Sequence, residues 1–150
     1  MSSIPDILRE ELERLRSDII FRHEQAGQKA TGETERLFST EVQNTLGRLF
    51  GPLYSGVLER GRKPGRVPRD FIDILKRWAA AKNISFSDEK QFNIWANAVK
   101  WKIIREGTKL YRSGRTEDIF STPYEELNTR LSARIATYFE NEINNLIFER

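Results

Sequence analysis

Residues 59–69 read Glu-Arg-Gly-Arg-Lys-Pro-Gly-Arg-Val-Pro-Arg, with two glycines, two prolines and five basic side chains. No helix or strand runs through such a segment, because proline removes a backbone donor and glycine is costly to order. Five of the nine glycines fall between Gly47 and Gly65. The backbone must turn there, or approach another segment closely. The spacing therefore predicts an exposed basic loop, with regular structure on either side.

Before the loop, Ser3 and Asp6 stand in capping-box spacing and Pro5 lies in the first turn. Ile4, Leu8, Leu12, Leu15 and Ile19 then recur at helical steps. Gly27 is the expected stop. His23, the only histidine, is expected on the surface of this helix. Residues 28–36 are polar and read as a loop. Strands are expected over 37–43 and 45–53, turning at Asn44. Tyr54 to Glu59 has room for a turn of helix.

After the loop, a helix is expected from Pro68, with Phe71, Ile72, Leu75, Trp78 and Ala79 buried and Asn83 as its stop. Ser87 is the expected cap of the next helix, whose core stripe is Phe92, Trp95, Ala96, Val99 and Ile103. Gly107 ends or loosens it. Residues 112–120 read as a connector. Thr122, Pro123 and Glu125 predict the start of a last helix of about 25 residues, roughly 37 Å long. The fold class expected is α+β: a helix-dominated single domain over 1–150, with a small antiparallel hairpin packed on helices and a long C-terminal helix over 122–150.

The net charge of +3 conceals an asymmetry. Residues 60–115 carry fifteen Lys and Arg against five acids, a net of +10, while 1–59 carry −3 and 116–150 carry −4. Such a pattern speaks of partners rather than fold. It suits nucleic acid, an acidic protein surface, or an oligomer whose acidic ends meet basic middles. Hydrophobic residues are 38% and charged residues 31%, which fits a small core and a large solvated or partner-facing surface. No apolar run approaches the ~18–20 residues of a membrane span. The first residues lack a basic start followed by an apolar stretch, so a secretory signal is not expected.

Chemistry is limited by inventory. With no cysteine and one histidine, most metal and nucleophile constellations fail. The carboxylates sit mostly on charged helix faces beside arginines, and no phosphate-cradling glycine motif occurs. The expectation is a protein that is not an enzyme, with no catalytic, cofactor-binding or metal residues and no cofactor. Trp78 and Trp95 fall on apolar stripes and are expected in the core. Trp101 lies off the stripe beside Lys100 and Lys102, an interface position. The candidates for an interface or a DNA channel are Arg60, Arg62, Lys63, Arg66, Arg69, Lys100, Trp101, Lys102 and Lys109. The loop is suited to phosphates or to an acidic neighbouring subunit, and no base-reading motif appears.

Four segments, taken in order, resemble a known family. An N-terminal amphipathic helix precedes Ala30-Thr31-Gly32-Glu33-Thr34 and a strand pair. Leu58-Glu59-Arg60-Gly61-Arg62-Lys63-Pro64-Gly65 is followed by Pro68. Ile74 and Trp78 precede Lys82-Asn83-Ile84. Trp101-Lys102-Ile103-Ile104-Arg105-Glu106-Gly107-Thr108-Lys109 precedes Asp118-Ile119-Phe120. Together they resemble phage tail-completion or head–tail joining (neck) proteins of the HK97 gene-product-10 type, over most of residues 1–120. Asn83 stands where a glycine is usual, and residues 66–69 replace a Pro-Pro pair. The resemblance implies a structural virion protein, made in the host cytoplasm. It would form a homo-oligomeric ring between the portal-side head connector and the tail tube or tail terminator, around the DNA exit channel. Non-specific contact with DNA is implied there, and no membrane partner. The other reading of the residues is a small basic nucleic-acid-binding protein, and a third is a helical adaptor.

Overall fold

The computed structural model describes residues 2–148. It is helix-dominated, with one two-stranded antiparallel sheet and a long C-terminal helix, the α+β class expected. The chain forms two compact units. One comprises 1–25, 35–52 and 118–150, and the other 26–34 and 53–117.

The first unit begins with α1 (Ile4–Gln25). Its capping box is reciprocal: the Asp6 N–H donates to Ser3 Oγ at 3.3 Å, and the Ser3 N–H to Asp6 Oδ2 at 3.1 Å. The buried face takes in Ile7, Leu12, Leu15 and Ile19, together with Glu11 and His23. Strands β1 (Ser39–Gln43) and β2 (Leu46–Phe50) pair with Gln43 opposite Leu46 and Ser39 opposite Phe50. The two residues between them include Asn44 at φ 52, a left-handed position that asparagine tolerates. Phe38 and Ile119 complete the core.

The last helix of this unit is α7 (Ser121–Phe148). Its cap is Asp118 rather than Thr122. The Thr122 N–H donates to Asp118 Oδ1 at 2.9 Å, and its hydroxyl to Oδ2 at 2.5 Å. These bonds hold the Asp118 carboxyl below its ordinary range, first through the Thr122 hydroxyl, then through its N–H, with Arg22 adding to them.

The second unit holds the helical pair α4 (Phe71–Ala81) and α5 (Glu89–Glu106). Leu75, Phe92 and Ala96 form its buried centre, surrounded by Phe71, Ile72, Phe86, Trp95 and Val99. Asp88, not Ser87, caps α5, accepting the Gln91 N–H at 2.8 Å. Trp78 corrects a sequence expectation: it is exposed rather than buried, with its ring stacked on Trp95 at 6.4 Å. Asn83 takes φ 55 at the end of α4, where its N–H reaches the Ala80 carbonyl.

Three short helices complete the count among the described residues: α2 (Glu33–Arg36), α3 (Ser55–Arg60) and α6 (Lys109–Ser113). Helix α2 lies where a loop was expected, and α6 runs into the segment read as a connector. Each spans little more than one turn, too few residues for periodicity to declare itself.

Candidate functional site: a basic cleft beside the glycine loop

The basic loop follows from how two helices end. Helix α3 stops at Gly61, at φ 77, with its N–H on the Val57 carbonyl at 2.8 Å. Helix α5 stops at Gly107, at φ 80, with its N–H on the Ile103 carbonyl at 2.9 Å. Both conformations favour glycine. Both are also sites of close approach. A Cβ on Gly61 would lie 2.4 Å from the Tyr111 backbone nitrogen, and one on Gly107 would lie 2.5 Å from the Arg62 carbonyl oxygen. Each helix end therefore presses on the segment that follows the other.

Hydrogen bonds fasten the same pair of segments. The Arg62 N–H donates to Thr108 Oγ1 at 2.9 Å, and the Thr108 N–H donates to the Arg62 carbonyl at 2.9 Å. The Gly65 N–H reaches the Ile104 carbonyl at 3.0 Å. Upstream, the Glu117 N–H bonds the Glu59 carbonyl at 2.8 Å, and Gln28 Nε2 bonds the Leu58 carbonyl at 2.6 Å. The loop is irregular, as expected, but several of its backbone polar groups are bonded to the segment around Thr108, which helps set its course.

Beside the loop lies a cleft of about 610 Å³, within the roughly 300–1,000 Å³ of ligand-sized clefts. It is lined by residues 60–66, Gly56, Val57 and Tyr111. Four of its lining side chains are cationic, Arg60, Arg62, Lys63 and Arg66, and none is a carboxylate. Arg62 Nη2 donates to the Arg66 carbonyl, which braces the loop. No ion pair with a carboxylate engages any of these four among the described residues. Nearby Arg112, in contrast, meets Glu106 at 3.6 Å. Four guanidinium and ammonium groups around one opening repel each other and favour an anion between them. The Tyr111 ring adds an apolar wall.

Of the nine sequence-selected residues, the structure gathers Arg60, Arg62, Lys63 and Arg66 around this cleft. Arg69 lies just before α4, and Lys109 opens α6; neither lines it. Lys100, Trp101 and Lys102 stand on α5, away from the lining, with Trp101 55% exposed. Tyr111 was not selected. Its only signal is an aromatic four residues after the Gly107-Thr108 turn.

His23 overturns its surface assignment. It is 1% exposed, with Nδ1 3.1 Å from Glu35 Oε1. The signal was present: His23 continues the Leu15, Ile19 spacing by a further step of four. Its Nε2 and Glu35 Oε2 are buried without a partner. Among the described residues, no three His, Cys, Asp or Glu side chains cluster as metal ligands, and no helix is long and apolar enough to cross a membrane.

Comparison with known proteins finds no matching family model, no matching curated protein and no matching solved structure.

Proposed function

We propose that this chain is a structural virion protein, a tail-completion or neck subunit. It would form a ring joining the portal-side head connector to the tail tube around the DNA exit channel. The reading begins with the resemblance of four ordered segments to the tail-completion family. One observation carries it further. Two of the four segments, 58–65 and 101–109, are far apart in the chain yet meet through Gly61, Arg62, Gly107 and Thr108. Chance resemblances in unrelated loops have no reason to share one backbone-bonded site.

A ring subunit contacts its neighbours through two different surfaces, a heterologous contact that closes by rotation. A basic middle and acidic ends suit that arrangement. The cleft gives the cations a place to meet an acidic neighbour or the phosphates of passing DNA, without any need to read bases. Deleting the gene in the phage that carries it should leave filled heads and separate tails, restored by supplying the intact chain. Normal joined particles without the chain would defeat the reading.

A second reading is a small basic nucleic-acid-binding protein without enzymatic activity, and the four unpaired cations of the cleft favour it. It predicts duplex binding with a log–log salt slope of about −3 to −4 if all four meet phosphates.

A further inference from the structure

The last ten described residues of α7, 139–148, form about 15 Å of helix at 1.5 Å per residue. All are exposed except Glu142, which is half-buried. The ion pairs explain why. Asp118 meets Arg22, Arg130 meets Glu11, and Arg134 meets Glu10 and Glu11. Helix α7 thus runs antiparallel to α1. Since α1 begins at Ile4, its cover gives out near Tyr138.

The uncovered turns are not polar. Phe139, Ile143 and Leu146 stand at i, i+4 and i+7, 51%, 54% and 73% exposed. Glu140 and Glu142 flank that row, and no basic residue lies between 135 and 148. A contiguous apolar row rimmed by charge marks an interaction site.

Helix α5 carries a matching row facing away from its buried Phe92 and Ala96. Ile94, Ala98 and Trp101 have the same i, i+4, i+7 spacing and are all exposed. Their flanks are Lys90, Lys102 and Arg105, also exposed. Equal spacing lets the two rows interdigitate, and opposite charges meet along both flanks.

We propose that the α7 end of one copy lies on the Ile94–Ala98–Trp101 row of a second copy. The inference rests on the reading of the chain as a ring-forming subunit, whose neighbour contact it specifies. Each copy offers one tail and one row, so the contact is heterologous and propagates from copy to copy.

The absence of cysteine makes the test direct. Ala98 and Ile143 are the middle members of their rows, so they face each other whichever way the helices run. Mixing full-length Ala98→Cys with Ile143→Cys under mild oxidation should give a disulfide heterodimer. One chain carrying both changes should give a ladder of dimer and higher species. Adding Glu140→Lys and Glu142→Lys to the tail copy should cut the heterodimer yield by about fivefold or more, and Lys90→Glu with Lys102→Glu in the other copy should restore it. All these positions are exposed or at the helix rim, and circular dichroism should be unchanged. Ile143→Cys pairing only with itself, closure within a single chain, or a yield indifferent to charge reversal would each overturn the proposal. Sedimentation of the same samples separates the two levels. Oligomers without the heterodimer would overturn the docking and leave the ring reading standing; monomers at every concentration, without the heterodimer, would count against both.

Discussion

The Glu11 carboxylate lies buried on α1 with Arg130 Nε of α7 2.8 Å from one oxygen and Arg134 Nη1 2.9 Å from the other. One acid thus ties together two helices through side chains more than a hundred residues apart in sequence. Glu11→Ala removes the tie and leaves two partly buried guanidiniums facing each other. A loss of about 2–3 kcal/mol is expected, below the full cost of an unpaired buried charge because both arginines keep some access to water. Urea unfolding followed by circular dichroism measures it.

The same carboxylate makes the first unit sensitive to acid. Burial pushes the Glu11 carboxyl up, but the hydrogen bonds and charges of Arg130 and Arg134 outweigh it and hold it below its ordinary range. The Asp118 carboxyl is lowered as well. A depressed folded-state value contributes stability above the ordinary carboxylate range, and that stability is lost as pH falls. The melting temperature should be nearly level from neutral pH down to about 5 and fall steeply below about 4. Glu11→Gln should flatten that fall.

Two glycines of one short segment should respond in opposite directions. Gly61 is at φ 77, and its Cβ position is 2.4 Å from backbone. Gly61→Ala should cost about 2 kcal/mol or more through strain and displacement of the Tyr111 segment. Gly56 lies inside α3 with nothing near its Cβ position. Gly56→Ala should stabilise by about 0.5–1 kcal/mol. Thermal melts of the two variants side by side check both signs.

Trp95 stands half-buried among Phe86 at 5.1 Å, Phe92 at 5.9 Å and Trp78 at 6.4 Å. Its spacing places it in the core, and it lies at the core's edge, packed against the buried cluster of Leu75, Phe92 and Ala96. Trp95→Ala should therefore cost about 2–3 kcal/mol, less than a fully buried aromatic. Tryptophan fluorescence should report both the loss of stability and the loss of the indole stack.

What the sequence made legible was local. The Ser3–Asp6 box and the turn at Asn44 are each set within a few residues, and each appears as read. The apolar rows are right in part: α1 buries Leu12, Leu15 and Ile19 but takes Ile7 and Glu11 where Ile4 and Leu8 were expected, and α5 buries Phe92 and Ala96 while Trp95, Val99 and Ile103 are half-buried. The cap of α7 was missed because Asp118 reaches forward to Thr122 from outside the helix, while Thr122 has the look of a cap itself. His23 followed the buried spacing of α1, but its residue type argued for the surface. The cleft could be half read. Its basic composition was plain, yet the contact of Gly61 with Tyr111 joins residues fifty apart, and no pattern along the chain records that.

The central claim is a place in the virion, and electron microscopy of joined particles tests it most directly. Particles carrying the intact chain should show a ring of its density between head and tail. Particles made with Arg62→Glu, Lys63→Glu and Arg66→Glu together should lack the ring and remain unjoined, although the purified variant keeps its fold. A chain absent from the particle, remaining monomeric beside every virion component and binding duplex DNA tightly at ~150 mM salt, would contradict the account.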